Sequence, residues 1–293
     1  MAVQQGFRIR RLCVIGVGLI GGSLARALKA AGAVDEVVGS GRREAPLLKA
    51  RELGVVDRIH TDPAAAVAGA DMVVVAVPLG AVGAVLASIA GHLEASAVIT
   101  DVASAKGSVV ADAARAFGGV PARFVPGHPI AGTEQSGVEA SFAELFQHRR
   151  TILTPLLETD VHALQRVRLM WETVGSEVVE MGVQHHDAVL AATSHLPHML
   201  AYALVECLAR LDDRAEIFRY AAGGFRDFTR IASSDPVMWR DVCVANREAL
   251  LAVLGRFRDD LERLMAAIDQ GDTDTVTAVF QRAKTARDNL YRD

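Results

Sequence analysis

Imidazole, hydroxyl and guanidinium groups gather in a few short segments of an otherwise apolar chain of 293 residues. They lie in Thr100-Asp-Val-Ala-Ser-Ala-Lys106, Gly127-His-Pro-Ile-Ala-Gly-Thr-Glu-Gln-Ser-Gly137, Ser194-His-Leu-Pro-His198 and Gly223-Gly-Phe-Arg-Asp-Phe-Thr-Arg230. A histidine exchanges a proton near neutral pH, and the planar fork of an arginine matches a carboxylate. Such a set can hold an anion and move one proton. Taken singly, His128 reads equally well as a structural histidine. His195 and His198 stand three residues apart, neighbours on one helical face. That spacing permits a metal ion, but no third ligand accompanies it, and no metal is expected.

A second pattern, Gly16-Val-Gly18-Leu-Ile-Gly21-Gly22, directly follows the apolar run Leu12-Cys-Val-Ile15 and opens a helical stretch. A dinucleotide needs a glycine at the tight turn, another where backbone approaches the pyrophosphate, and a third where helix meets strand. The helix N-terminus then offers free N–H groups to the phosphates. Expected cofactor positions are Gly16, Gly18, Leu19, Ile20 and Gly21, with Val77 and Pro78 after a later strand. Counting about 20 residues on from the turn reaches Gly39-Ser-Gly-Arg-Arg43, where an NAD site would carry a carboxylate for the ribose. No carboxylate stands there. Ser40 can bond a ribose phosphate and Arg42 or Arg43 can pair with it, so NADP is favoured over NAD. The alternative is a pair of ordinary solvated loop arginines.

These groups need a scaffold. The chain is 51% hydrophobic and 23% charged, which suits a globular protein with a sizeable core and excludes intrinsic disorder. A formal net charge of −4 gives no basic field for nucleic acid. Cys13, Cys207 and Cys243 are too scattered for a metal site or disulfide framework and fit a reducing cytoplasm. The uncharged stretch from Met72 to Gly91 is about long enough to span a bilayer. Pro78, Gly80 and Gly83 interrupt it, so it reads as a strand entering a new helix, and no membrane partner is expected.

Short β-branched runs alternate with helical stretches through the first half. Leu12-Cys-Val-Ile15, Glu36-Val-Val38, Met72-Val-Val-Val-Ala-Val77 and Ala97-Val-Ile-Thr100 are successive strands. Phe124-Val125, Thr151-Ile-Leu153 and Glu177-Val-Val-Glu180 are further candidates. This alternation predicts an α/β Rossmann-type fold, doubly wound on a mostly parallel sheet. From about His185 onward the texture is helical. Residues 1–182 are therefore expected to form the nucleotide-binding domain and residues 183–293 a helical substrate and dimerisation domain. Leu250, Leu254, Phe257, Leu261, Leu264 and Ile268 recur at spacings of four and three. That stripe needs a partner, either the protein's own core or a second chain.

Together the glycine turn, Thr-Asp-x-x-Ser-x-Lys at Thr100, His-Pro-x-Ala-Gly-Thr-Glu at His128, Ser-His-Leu-Pro-His at Ser194 and Asp-Phe-Thr-Arg at Asp227 resemble the prephenate dehydrogenase family, which includes arogenate and cyclohexadienyl dehydrogenases. The resemblance spans nearly the whole chain, with Ala103 and Ala105 departing from the usual residues and Gly41 standing where many relatives have aspartate. It implies oxidative decarboxylation of prephenate or arogenate, with hydride transfer to NAD(P), in tyrosine synthesis. By its place in the motif, His128 accepts the substrate hydroxyl proton, and Ser104 orients the hydroxyl or the histidine and contacts the nicotinamide. Arg230 holds a substrate carboxylate. His198 and, less directly, His195 line the pocket with Thr133. Gly223 and Gly224 allow close approach, and Arg226 adds positive potential. Trp239 packs either on the substrate ring or in the core, and Lys106 adds charge or pairs with Asp101. A homodimer through interlocked helices is implied as well, and tyrosine is a candidate product inhibitor at the active site. The competing readings are another NAD(P)-dependent hydroxy-acid or imine dehydrogenase and a non-catalytic NADP-binding sensor.

Overall fold

The computed structural model describes residues 7–133 and 135–290. Nine strands and thirteen α-helices are found among them. The order begins β1 (Ile9–Ile15), α1 (Leu19–Ala30), β2 (Val34–Ser40), α2 (Glu44–Glu52), β3 (Arg58–His60), α3 (Pro63–Val67), β4 (Met72–Val75), α4 (Val82–Ile89), β5 (Val98–Asp101), α5 (Lys106–Phe117), β6 (Phe124–Val125) and β7 (Gly127–Pro129). It continues with β8 (Arg150–Leu153), α6 (Val161–Thr173) and β9 (Glu177–Glu180). Only helices follow: α7 (Val183–Leu190), α8 (Leu196–Ala209), α9 (Arg214–Arg219), α10 (Gly223–Thr229), α11 (Pro236–Ala245), α12 (Arg247–Asp269) and α13 (Thr273–Asn289).

Six strands form a parallel sheet in the order β3-β2-β1-β4-β5-β6, the doubly wound arrangement. Successive side chains of a strand face opposite sides, and both sides here are covered. Leu12, Val14, Met72 and Val74 join one apolar cluster with Leu24 and Leu28 of α1 and Met170 and Trp171 of α6. Cys13, Ile15, Val73 and Val75 join the other, with Leu86 and Ile89 of α4 and Trp239 and Val242 of α11. Burying each such side chain contributes roughly 1.5–3 kcal/mol, which is why these uninterrupted apolar runs form the central strands.

Register brings the motifs to one edge. Ile15 pairs with Ser40 and with Val75, and Val75 pairs with Asp101. The glycine turn, the Ser40 loop, the Ala76-Val77 segment and the Thr100–Lys106 segment therefore all leave the sheet at its carboxyl ends, where open α/β folds bind ligands. Two strands depart from the sequence reading. β3 contains Arg58 and His60 and lacks an apolar run; β7 is Gly-His-Pro. β7 and β8 pair antiparallel and β8 pairs parallel with β9, so the later strand candidates make a separate three-stranded sheet.

By packing, the chain forms two compact units, one ending at Asn246 and the other beginning at Arg247. Helices α7 to α11 thus pack within the same unit as the nucleotide-binding half, whereas the composition change near residue 182 suggested an earlier division. The first unit contains a continuous helical run, Val183–Ala209, long and apolar enough by length and composition to cross a membrane. A π-helical turn, Ala191–His195, joins its two α-helical parts. In the second unit α12 and α13 pack on one another, while Phe257, Leu261, Met265, Ile268 and Phe280 are exposed in the single chain.

Candidate active site

Gly16 and Gly21 fit the packing roles that the spacing suggested. Gly16 has φ +102°, and a Cβ there would lie 2.3 Å from the Ala76 carbonyl oxygen. At Gly21 a Cβ would lie 2.3 Å from Gly16 O and 2.8 Å from Val14 Cγ1, so only glycine lets α1 approach β1 this closely. Gly18 differs: it precedes α1 in extended backbone, and no protein atom lies within 4 Å of a Cβ built there. The space beside it is free for a ligand's phosphates, and no side chain caps the first turn of α1. Gly18→Val is therefore expected to leave the urea midpoint nearly unchanged while weakening NAD(P) binding at least tenfold, read by titration of intrinsic fluorescence. A large loss of stability would instead make Gly18 a packing residue.

Val77 and Pro78 follow Ala76 past this turn, and Gly16 N donates to Ser40 O at 2.8 Å. Ser40 is fully buried, and its hydroxyl has no hydrogen-bond partner among the described residues. Arg42 and Arg43 are exposed, and neither makes an ion pair among the described residues.

The chemistry-bearing residues meet where β5, β7 and α7 converge. His128 is 9% exposed, and its Nδ1 lies 2.9 Å from His186 Nε2. His186 Nδ1 lies 2.8 Å from Asp187 Oδ1. Asp187 also accepts the amides of Lys106 and Gly107, each at 2.8 Å, at the start of α5. A carboxylate only accepts, so His186 carries its proton on Nδ1 and presents a lone pair at Nε2. His128 then donates from Nδ1, which leaves Nε2 as its proton-accepting atom. The histidine's tautomer is set by a chain that ends on a fixed negative charge.

The backbone of His128 is held from the other side. The Lys106 ammonium and Asp101 carboxylate pair within the protein, each 0% exposed. Lys106 Nζ donates to Gly127 O at 2.6 Å, while Asp101 Oδ1 accepts Gly127 N at 3.2 Å and Oδ2 accepts Ala103 N at 2.9 Å. Both peptide groups of the residue preceding His128 are therefore gripped by one ion pair. The Lys106 side chain pairs with Asp101, as one of its two expected roles required.

His195 is 1% exposed and shares a bond of 3.1 Å with Asn246 Nδ2, which also donates to Asp187 O at 2.8 Å. His198 bonds the Ser194 carbonyl through Nδ1 at 2.9 Å and stacks on Trp239 with ring centroids 3.6 Å apart. Trp239 is nearly buried in the apolar cluster beneath α11, so one ring face is taken by His198. Arg230 stands just after α10, and its charge adds to burial in holding the His198 imidazole below its ordinary value. Ser104 is half-buried on the segment between β5 and α5, and its hydroxyl makes no hydrogen bond among the described residues. Thr133 is exposed and accepts Gln135 N at 3.2 Å; Glu134 of the same motif lies outside the described residues. Arg226, Gly223 and Gly224 are exposed on α10, with open space beside both glycines. No group of three or more metal-ligating side chains occurs among the described residues.

Sequence reading missed His186, Asp187 and Asn246. A warning was present in the adjacent His185-His186-Asp187, three titratable residues entering a helix, but their partners lie 58 and 80 residues away. Asn246 has no local motif.

Burial holds four histidines below the ordinary imidazole value. For His128 burial is the largest cause, joined by the His186, Lys106 and His195 charges, and it lies well below 6.5. Burial also dominates for His186, His198 and His195, the last pushed down to about 4. For Asp187 burial acts upward, but bonds from His186, Lys106 and Gly107 hold the carboxyl below its usual range. The unfolded chain takes up protons near pH 6.5 where the folded chain does not. Stability from these histidines is thus complete above that pH and is lost as pH falls below it. Tm is expected to drop steeply between pH 6.5 and 4.5, and less steeply in a His186→Gln variant, which keeps three of the four histidines, normalised to its own value at pH 7.5. Equal slopes in calorimetry would contradict this.

The doubly wound sheet and the glycine turn together define a dinucleotide-binding fold, with a buried histidine chain at the carboxyl edge of its sheet. Profiles described as "Prephenate dehydrogenase, nucleotide-binding domain" and "Prephenate dehydrogenase, dimerization domain" match residues 24–180 and 183–282. The chain is 40% identical over 287 residues to a cyclohexadienyl dehydrogenase of Zymomonas mobilis, covering 97% of each. It is 34% identical to a prephenate dehydrogenase of Bacillus subtilis, covering 95% of this chain and 76% of the relative. The Aquifex aeolicus prephenate dehydrogenase solved with hydroxyphenyl propionate and NAD+ superposes with TM-score 0.90 at 34% identity, covering 98% of this chain and all of that one. A Synechocystis arogenate dehydrogenase gives TM-score 0.81 at 29% identity, with 96% and 99% covered. The chain belongs to the prephenate dehydrogenase family.

Proposed function

We propose that this chain catalyses the oxidative decarboxylation of prephenate or arogenate, yielding 4-hydroxyphenylpyruvate or tyrosine with carbon dioxide. The observation that carries the reading is the His128–His186–Asp187 chain, which leaves His128 Nε2 as a neutral base. A bound pyridine nucleotide supplies the hydride acceptor. His128 takes the proton of the ring hydroxyl as that carbon becomes a carbonyl, and Asp187 stabilises the resulting imidazolium through His186. The bond from ring to carboxylate breaks, carbon dioxide leaves, and its electron pair completes the aromatic ring, pushing the carbonyl pair onto oxygen, which takes the proton back from His128 to give the phenol. Ser104 orients the hydroxyl. Arg230 grips the carboxylate, with Arg226 adding positive potential, while His198, His195 and Thr133 line the pocket.

NADP is preferred over NAD, a choice supported by Gly41 and the uncommitted Arg42 and Arg43. The functional division falls near residue 182, with a nucleotide-binding part before it and a substrate and dimerisation part after it. Exposed Phe257, Leu261 and Ile268 support a homodimer, and the three free thiols support a reducing cytoplasm. Tyrosine, similar in shape to the substrate, competes at the same pocket.

The test is reduced-nicotinamide absorbance with prephenate or arogenate, each with NADP and with NAD. Turnover with at least one acid, faster with NADP, is expected. A folded protein that binds the nucleotide yet turns over neither acid would overturn the reading.

A further inference from the structure

Asn246 closes α11 and is 4% exposed, yet no motif includes it and its amide touches two separate parts of the site. One amide atom lies 2.8 Å from the Asp187 carbonyl oxygen and 3.1 Å from His195 Nδ1. A carbonyl oxygen only accepts, so that atom is the NH2 nitrogen, whichever way the amide was first drawn. Its first hydrogen serves Asp187 O. Its second points to His195 Nδ1, which must then be the unprotonated ring nitrogen. The imidazole proton is left on Nε2.

That Nε2 is buried and has no hydrogen-bond partner among the described residues, and neither has the indole Nε1 of Trp239, whose ring meets His195 edge-on at 6.1 Å. A buried donor left unmade is costly, and such orphans in native proteins mark a missing acceptor. Burial keeps His195 neutral, pushed down to about 4, so it cannot serve as a cation at neutral pH. Its remaining capacity is that of a neutral donor to an oxygen.

We propose that Asn246 is a positioning residue that locks His195 as its Nε2–H tautomer, making His195 a neutral hydrogen-bond donor to an oxygen of the bound acid. The second half rests on the function proposed above; the first does not. Asn246 also joins two histidines through one residue. Asp187 orients His186 and His128 through its carboxylate, and His195 through its backbone carbonyl and Asn246.

The experiment begins on the wild-type protein labelled with 15N-histidine, with the His195 signal assigned by its loss in His195→Gln. Long-range 15N–1H correlation distinguishes a protonated from an unprotonated ring nitrogen. The expected pattern is Nε2 protonated and Nδ1 bare; a proton on Nδ1 would overturn the proposal without any reference to turnover. Asn246→Asp supplies an acceptor where the donor stood and is expected to move the proton to Nδ1. Asn246→Ala is expected to let both tautomers appear and to raise KM for the acid about tenfold or more, with nucleotide KM unchanged. An unmoved tautomer in both variants would overturn the positioning role. A moved tautomer with unchanged KM would overturn the donor role. If the wild-type protein turns over neither acid, the spectra still decide the tautomer while the proposed reaction fails separately.

Discussion

Asparagine in place of His128 is expected to lower kcat by about 10²–10⁴-fold while NAD(P) affinity stays as it was. The substitution is chosen for what it keeps. An asparagine amide can still donate toward His186 Nε2, the partner of His128 Nδ1, so the His186–Asp187 pair is not stranded. What disappears is the basic nitrogen on the far side of the ring. The wild-type acid limb of kcat/KM should fall below pH 6.5, because burial and the neighbouring charges hold the His128 conjugate acid well below that value. The variant should lack that limb. Steady-state rates across pH, with nucleotide binding measured by titration calorimetry, decide the matter; a variant retaining more than about a tenth of wild-type kcat would remove His128 from the proton step.

The second large effect concerns stability. Asp101→Leu leaves the Lys106 ammonium fully buried with Gly127 O as its remaining partner, and should cost about 3–5 kcal/mol in urea unfolding. Lys106→Met should cost a similar amount by stranding the carboxylate, although Ala103 N and Gly127 N still donate to it. The double variant Asp101→Leu/Lys106→Met buries no charge and should recover a substantial part of the loss. If each single change costs less than about 1 kcal/mol, the pair is not the isolated buried charge couple described above. Activity should fall in the double variant even where stability returns, because Gly127 N and O then lose the ion pair that holds them ahead of His128.

The site was partly legible in the residues because some of its geometry is local. The glycine turn, with Gly16, Gly18 and Gly21, spans one strand-to-helix junction, so spacing alone specifies it. The Lys106–Asp101 pair likewise lies within one short segment. The central strands could be read because both faces are buried and their apolar runs are unbroken. β3 and β7 could not: Arg58-Ile-His60 and Gly127-His-Pro129 owe their extended form to the strands beside them and not to their own side chains. The same limit hid His186, Asp187 and Asn246. Their roles arise only when α7 and α11 pack near the carboxyl edge of the sheet, and no local periodicity encodes that meeting.

The π turn at Ala191–His195 sets a further constraint on this protein. An α-helix advances about 100° and 1.5 Å per residue, and a π turn amounts to one residue inserted out of phase. The run therefore behaves as two gears mounted on one shaft with an offset between their teeth. His186 and Asp187 engage from the first, His195 at the splice, and His198 from the second. Removing a single residue between 191 and 195 would restore an unbroken α-helix and turn one gear against the other by about a quarter revolution. The helix would gain regularity while His198 lost Trp239 or Asp187 lost α5. Substitutions at the exposed Ala192 and Thr193 are thus tolerable in principle where the exact length of the stretch is not.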